Sequence, residues 1–409
     1  MPATPDIITD KNAMRAWSRA HRAAGRTIGF VPTMVGDGRA RPIEMQHLTL
    51  LSVFLMCFLL TLLCRAASTR ATCPWLTSPS TFKRLRETRK CACERKRDAS
   101  IHPSSSPFSP NHFLNRREAD VIVVSIYVNP TQFAAHEDFG VYPRTRDADR
   151  AALAGAGVDC IFEPATLYEA GHVHGPPSTT APDAALVVGA SSTPAPGAHE
   201  TTVTVSRLQR GLCGGSRPHF FAGVATVVAK LFNCVEPDTA VFGRKDAQQL
   251  AVIARMARDL DFGVRVVGGP IVREVDGLAL SSRNALLSPG DRAAAPAIAA
   301  ALAWAARTAA AGVVSSADLE TSVSARIAAA KAEGVRVDYV ALVDAEDLTA
   351  VARVGPGGGW AAGDGGDVIA PPPRPVLLAV AAFIGSVRLI DNTVLGAEVD
   401  GGLAGLAAE

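Results

Sequence analysis

Two polar clusters, each standing directly after an apolar run, set the strongest limit on what this chain folds into. Phe242-Gly243-Arg244-Lys245-Asp246 follows the strand-like run Thr239 to Phe242 and leads into Ala247 to Leu260, where apolar residues recur at helical spacing. A glycine, two cations and an acid therefore sit where a strand hands over to a helix. In parallel α/β sheets that junction is the ligand edge, because the first N–H groups of the helix are unpaired and point at any anion lying there. The second cluster, Gly277-Leu278-Ala279-Leu280-Ser281-Ser282-Arg283-Asn284, follows Val264 to Val272 and offers two hydroxyls, a guanidinium and an amide within four residues. Those donors suit phosphate oxygens. Either cluster alone also reads as a solvated polar turn; the two together, after successive strands, point to a nucleotide-handling site.

The flanking chain alternates in the same way. Ile7 to Gly25 predicts a helix and Thr27 to Val31 the first strand, stopped by Pro32-Thr33-Met34. Ala119 to Val128 predicts a buried strand ending at Asn129-Pro130-Thr131-Gln132-Phe133, followed by a helix over Arg146 to Gly157 and strands over Val158 to Glu163 and Thr201 to Val205. Gly223 to Asn233 predicts an apolar helix beneath the site. His172 to His199 is rich in Pro, Ala, Ser and Gly and reads as a low-complexity insertion. His172 and His174 have no third ligand at useful spacing, so no metal-ligating residues are expected. Beyond Asn284, Pro289 to Gly312 and Ala317 to Gly334 predict helices. Val337 to Asp344, Val376 to Ile384 and Val387 to Asp391 predict strands, with Gly355 to Pro375 a long loop. The expected architecture is a doubly wound parallel α/β domain over residues 1–285, Rossmann-like, with a smaller C-terminal α+β domain over 286–409.

One stretch inside the first domain is foreign to this pattern. Residues 35–115 hold 12 Lys+Arg against 5 Asp+Glu, leaving 29 against 34 elsewhere, and carry five of the eight cysteines. Leu48 to Cys64 is almost unbroken apolar sequence of nearly membrane-spanning length. A single crossing there would put two strands of one sheet on opposite sides of a bilayer, so translated non-coding sequence is the favoured reading and no membrane partner is expected. The three remaining cysteines suggest reduced thiols in a cytosolic protein. A net charge of +2 and 6% aromatic residues give no footprint for nucleic acid.

With the motifs set in order, the chain resembles the pantothenate synthetases (pantoate–β-alanine ligases) of the nucleotidyltransferase superfamily. The matching pieces are Val31 to Met34, Val128 to Phe133, Tyr142-Pro143-Arg144-Thr145, Gly223 to Asn233, Phe242 to Leu250, Asp276 to Asn284 and Leu389-Ile390-Asp391-Asn392. Gly211 to Gly214 and Arg258 to Gly263 resemble the plant-type branch, which is generally cytosolic. The resemblance implies ATP-dependent condensation of pantoate with β-alanine through a pantoyl adenylate, in a homodimer using Mg²⁺. It implies ATP-binding roles for Pro32, Thr33, Met34, Gly243, Arg244, Lys245, Asp246, Val272, Leu280, Ser281, Ser282 and Arg283. Lys245, Ser281, Ser282 and Arg283 would be catalytic. Asn129, Gln132 and Gln249 would bind pantoate.

Two departures accompany the resemblance. The family continues from Pro-Thr-Met into a His-x-Gly-His motif, whereas Met34 here is followed by Val35-Gly36-Asp37-Gly38-Arg39 and no His-x-Gly-His occurs in the chain. His47, in Glu44 to Leu48, is too far from Met34 to replace it. Many members also have Gly-His-Phe-Arg where this chain has His219-Phe220-Phe221-Ala222 after Pro218. The expectation from the missing imidazoles is a chain inactive or nearly so as it stands. The alternative function is then a non-catalytic pantoate- or nucleotide-binding homologue, or a mis-spliced product.

Overall fold

The structure, a computed structural model, describes residues 4–33, 119–132, 146–168, 199–330, 334–356, 358–360 and 374–395. The expectations for Met34, for residues 35–115, for Phe133, for Tyr142 to Thr145 and for most of His172 to His199 lie outside the described residues.

Six parallel strands form the main sheet: β1 (Asp6–Ile8), β2 (Ile28–Thr33), β3 (Val121–Ile126), β4 (Cys160–Phe162), β5 (Thr239–Gly243) and β6 (Arg265–Gly269), in the order β1-β4-β3-β2-β5-β6. Around it lie helices α1 (Lys11–Ala23), α2 (Arg146–Gly155), α3 (Leu212–Ser216), α4 (Phe220–Val235) and α5 (Ala247–Asp259). Side chains along a strand alternate between faces, and both faces are covered. Ile28, Phe30, Val121 and Val123 join a core with Met14 of α1, Phe232 of α4 and Ile253 of α5. Val31, Ile122 and Val124 pack instead against Leu153 of α2. This is why the strands read as unbroken apolar runs. From β2 the chain builds outward through β3 and β4, then returns to add β5 on the other side of β2. The reversal leaves a crevice at the carboxyl ends of β2 and β5, the topological switch point at which such sheets bind ligands.

Several local expectations need correction. Ile7 and Ile8 belong to a strand, not a helix, because they pair with Ile161 and Phe162 at the sheet edge. The helix begins only after Asp10, whose carboxylate caps Asn12 and Ala13 N–H at 2.9 and 2.8 Å. Thr201 to Val205 forms no strand, since Val203 N–H is taken by Thr226 Oγ1 of α4 at 2.9 Å.

The C-terminal part runs α6 (Pro289–Ala294), α7 (Ala297–Ala311), β7 (Val314–Ser315), α8 (Ser316–Ala328), β8 (Arg336–Asp344), β9 (Arg353–Gly355), β10 (Gly358–Trp360), β11 (Val376–Ile384) and β12 (Val387–Leu395). The single helix expected over Pro289 to Gly312 is two, broken at Ala295 and Pro296, where proline supplies no N–H to continue the ladder. Strands β8, β11 and β12 form an antiparallel sheet in the order β12-β11-β8. Strands β7, β9 and β10 form a second small sheet; it reaches into what reads as loop because its strands are too short to carry a period. Strand β11 is buried on both faces. Val376, Leu378 and Val380 pack with Ile298 and Leu302 of α7, while Leu377 and Ala379 enter the core of the large sheet. One alternating strand thus joins the two parts.

Cys160 lies fully buried in β4. Burial first, and then Asp6 and Asp159, pushes its thiol up to about 12. Since the thiolate is the reactive form, iodoacetamide at neutral pH should leave Cys160 unlabelled in peptide maps of the native protein and label it after denaturation. Labelling of the native chain would mean that the β4 edge opens.

Candidate functional site

At the switch point a cavity of about 360 Å³ opens between the main sheet and the C-terminal sheet. It gathers Pro32 and Thr33 from β2, Asn129 and Gln132 beyond β3, Gly243, Lys245 and Asp246 at the end of β5, Gln249 of α5, and Leu280, Ser281, Ser282 and Arg283. Twelve predicted site residues therefore share one space. Arg244 and Val272 do not line it. Arg244 turns its side chain into the protein and is buried, and Val272 serves the hairpin behind the site by accepting from Leu280 N–H at 2.9 Å. Met34 is outside the described residues.

One part of the cavity wall is built on the turn Pro130–Gln132. Asn129 is 1% exposed, and its amide is fully committed to protein partners. Its Nδ2 donates to Gln132 Oε1 and Gly223 O, each at 3.1 Å, and its Oδ1 accepts from Tyr168 at 2.9 Å and Thr131 at 3.0 Å. Through these bonds Asn129 supports Gln132. With its oxygen held, the amide nitrogen of Gln132 is the end left for a ligand. Gln248 and Gln249 divide in a similar way. Gln248 is buried and ties down residues 208–214 through Leu208 O, Arg210 O and Gly211 O, while Gln249 lines the cavity and has no side-chain partner among the described residues.

The cavity is also cationic. Among the described residues, four cationic side chains, Lys245, Arg217, Arg283 and Arg388, line the cavity with two carboxylates, Asp246 and Asp391. Asp391 is neutralised by Arg273 at 2.6 Å, and Arg388 by Asp338 at 2.7 Å. Among the described residues Lys245 meets only Asp246, at 3.9 Å. Arg283 projects into the open cavity, so water reaches it, yet protein surrounds it on most sides. That surrounding lowers its pKa first, and Arg217 and Arg388 lower it further against the pull of Asp246. Arginine keeps its charge regardless. Thr33 adds a buried hydroxyl with no partner among the described residues.

Sequence reasoning missed the wall supplied by the C-terminal part. Tyr339 of β8 and Arg388 of β12 enclose Cys213: its sulfur lies 3.2 Å from the Tyr339 hydroxyl and accepts from Arg388 at 3.6 Å. Burial first, and then Cys213, raises the Tyr339 phenol above its ordinary value, so it stays protonated. The only signal was the run ending Leu389 to Asn392, whose neighbour Arg388 carries no motif of its own. Arg217, stacked 3.9 Å over Phe220 and donating to Gln132 O at 3.4 Å, is a second wall residue that no motif announces.

Comparison with known proteins names this arrangement. A model of the pantoate-beta-alanine ligase family matches residues 114–394. The chain belongs to the pantoate–beta-alanine ligase family. The rice (Oryza sativa subsp. japonica) pantoate–beta-alanine ligase is 38% identical over 392 residues, covering 96% of this chain and 97% of its own. The Arabidopsis thaliana ligase is 37% identical over 391 residues, with 95% and 97% covered. The crystal structure of pantothenate synthetase from Thermus thermophilus superposes with a TM-score of 0.59 at 30% identity, covering 95% of this chain and 98% of that one. The pantoate–beta-alanine ligase of Francisella tularensis, solved with beta-gamma ATP and beta-alanine, shares the fold at 20% identity and a TM-score of 0.50. Relatives named as ligases that match nearly end to end favour an enzyme over a non-catalytic homologue.

For a ligase of this family the geometry makes Gly223 a control point. A Cβ at Gly223 would lie 2.5 Å from Thr131 O and 2.9 Å from Gln132 N, so the Asn129–Gln132 turn would have to move. Gly223→Ala should lower kcat/KM for pantoate by on the order of 10²-fold, the scale of a misplaced binding group, with ATP affinity little changed. Steady-state kinetics with pantoate varied checks this; an unchanged pantoate KM would detach the turn from the acid site.

Proposed function

We propose that this chain condenses pantoate with β-alanine at the expense of ATP, in two steps through a pantoyl adenylate. The observation that carries the reading is the presence, within one cavity, of two amides suited to a hydroxy acid, on Gln132 and Gln249, and a cluster of cations suited to a polyphosphate. A carboxylate oxygen of pantoate attacks the α-phosphorus of ATP, the bond to pyrophosphate breaks, and negative charge builds on the phosphoryl oxygens. Lys245, Arg283 and the hydroxyls of Ser281 and Ser282 are the donors available to meet that charge, and preorganised donors of this kind lower such barriers directly. In the second step the free amine of β-alanine attacks the acyl carbon, the acyl C–O bond breaks, AMP leaves with the bridging oxygen, and the amine loses a proton.

The donor set fits Mg²⁺ held through the nucleotide. Among the described residues no group of three His, Cys, Asp or Glu side chains converges as a metal cage, and Asp246 is the cavity carboxylate outside a buried ion pair. Mg²⁺ prefers phosphate oxygens and water to an all-protein site, and when bound it neutralises phosphate charge. The resemblance to the plant-type branch supports a homodimer and a cytosolic location as parts of the same proposal.

Incubation of the purified chain with pantoate, β-alanine, ATP and Mg²⁺ should yield pantothenate and AMP in equal amounts. No pantoate-dependent AMP formation would overturn the reading. Lys245→Ala should lower pantoate-dependent ATP–pyrophosphate exchange by at least ~10²-fold, the scale of losing one preorganised donor. Exchange within a few-fold of the parent would make Lys245 a solvated turn residue.

A further inference from the structure

Asp391 and Asn392 of β12 touch both halves of the phosphate-facing wall, although neither is among the donors that meet the phosphates. Asn392 is 4% exposed, and its side-chain nitrogen donates to the backbone carbonyls of Arg244 at 3.0 Å and Lys245 at 2.9 Å, across 147 residues of sequence in the latter case. Asp391 accepts Asn392 N–H at 2.8 Å and meets Arg273 through two bonds, Nη1 to Oδ2 at 2.6 Å and Nη2 to Oδ1 at 3.0 Å. The same Arg273 Nη1 donates to Gly277 O at 3.0 Å, at the head of the loop that carries Ser281, Ser282 and Arg283. The strand also supplies Arg388 O, which accepts from Arg283 Nη1 at 3.3 Å.

We propose that Asp391 and Asn392 are positioning residues for the adenylation step, setting the Lys245 loop and the Ser281–Arg283 loop against each other from one strand. The inference rests on the function proposed above. The physical argument concerns peptide planes. Residues 244–246 form a short 3₁₀ turn between β5 and α5, and its orientation decides where the Lys245 side chain leaves the backbone. The peptide group is planar and trans. Holding the carbonyls of Arg244 and Lys245 toward β12 therefore turns the N–H groups of Lys245 and Asp246 the opposite way. An asparagine suits this because its amide nitrogen offers two hydrogens to two acceptors. Aspartate of the same shape would offer none and would set a second carboxylate beside Asp391. The ion pair performs the matching task for the other loop: a buried guanidinium held by two parallel bonds has little rotational freedom, so Gly277, and the loop behind it, takes its place from Asp391.

A purely adhesive role for β12 would make a different prediction, since losing adhesive contacts lowers stability and every kinetic parameter together. A positioning role separates them, because the amides of Gln132 and Gln249 owe none of their recorded contacts to Asp391 or Asn392. The test is Asn392→Leu, similar in size and without donors, beside Asn392→Ser, which keeps one hydroxyl donor. Pantoate-dependent ATP–pyrophosphate exchange, thermal melting and calorimetric ATP affinity are measured on the full chain. For Asn392→Leu the expected result is a loss of ~10²-fold in kcat/KM for ATP, as for a misplaced catalytic group. Pantoate KM should stay within about twofold and the melting temperature within a few degrees, with Asn392→Ser intermediate. Exchange kinetics equal to the parent's would overturn the inference. So would pantoate and ATP parameters that fall together in step with the melting temperature. Should Asn392→Leu be recovered unfolded, Asn392→Ser decides by the same criteria. A parent chain with no exchange activity sinks the proposed function; an active parent with unaffected variants sinks only the positioning role.

Discussion

Arg273 and Asp391 are each 4% exposed and face one another through two short bonds, in a setting that offers neither of them water. Taking both charges out of solvent costs about as much as their attraction returns, so the pair adds little net stability. Its contribution is geometric. Removing one partner would leave a bare charge in the interior, a loss of roughly 3 to 5 kcal/mol, so few arrangements other than the observed one are open to the segment after β6 and to β12. Asn392 makes the arrangement more specific by fixing the turn after β5 to the same strand. The cavity walls are therefore set by polar contacts at the centre and by apolar packing around them.

That packing has its own logic. Strand β11 sends Val376, Leu378 and Val380 toward α7 and α8, and Leu377 and Ala379 toward the large sheet. The latter two residues also line the cavity, among other apolar side chains such as Val224 and Phe242. Cations in such surroundings act on a bound anion more strongly than they would in bulk water. The lowered pKa of Arg283 comes first from burial and then from its cationic neighbours Arg217 and Arg388.

The architecture was legible where a signal is local. Apolar runs such as Val121–Ile126 are strands because both faces of a parallel sheet are buried, and the cluster Gly243 to Asp246 announces the strand-to-helix junction that follows. Strand β1 was illegible because three residues carry no period and its pairing with β4 crosses more than 150 positions of sequence. The site divided along the same line. Lys245 and Ser281 to Arg283 lie in compact clusters that chemistry can read, whereas Tyr339 and Arg388 reach the cavity only through the antiparallel pairing of β8, β11 and β12. Asn129 shows a subtler limit: its type and position suggested a ligand donor, and only the structure shows the four protein bonds through which its amide also supports Gln132.

Gly223 and Asn392 solve one problem by opposite means. Each brings an element distant in sequence against a turn that carries a substrate-facing side chain. Gly223 does so by having no side chain, which lets α4 come close enough for its carbonyl to accept from Asn129 at 3.1 Å. Asn392 does so with an amide whose two hydrogens reach carbonyls that a strand backbone would not reach by itself. The amide of Gln132 is thus fixed from within the main sheet's own helical layer, and Lys245 from the C-terminal sheet. Adenylation requires the carboxylate and the α-phosphorus to meet in line, and proximity of that kind is a large part of what such a site supplies. Because the two supports belong to different sheets, the meeting distance depends on how β11 and β12 dock, and the apolar contacts of Leu377 and Ala379 bear on the chemistry without touching a reacting atom.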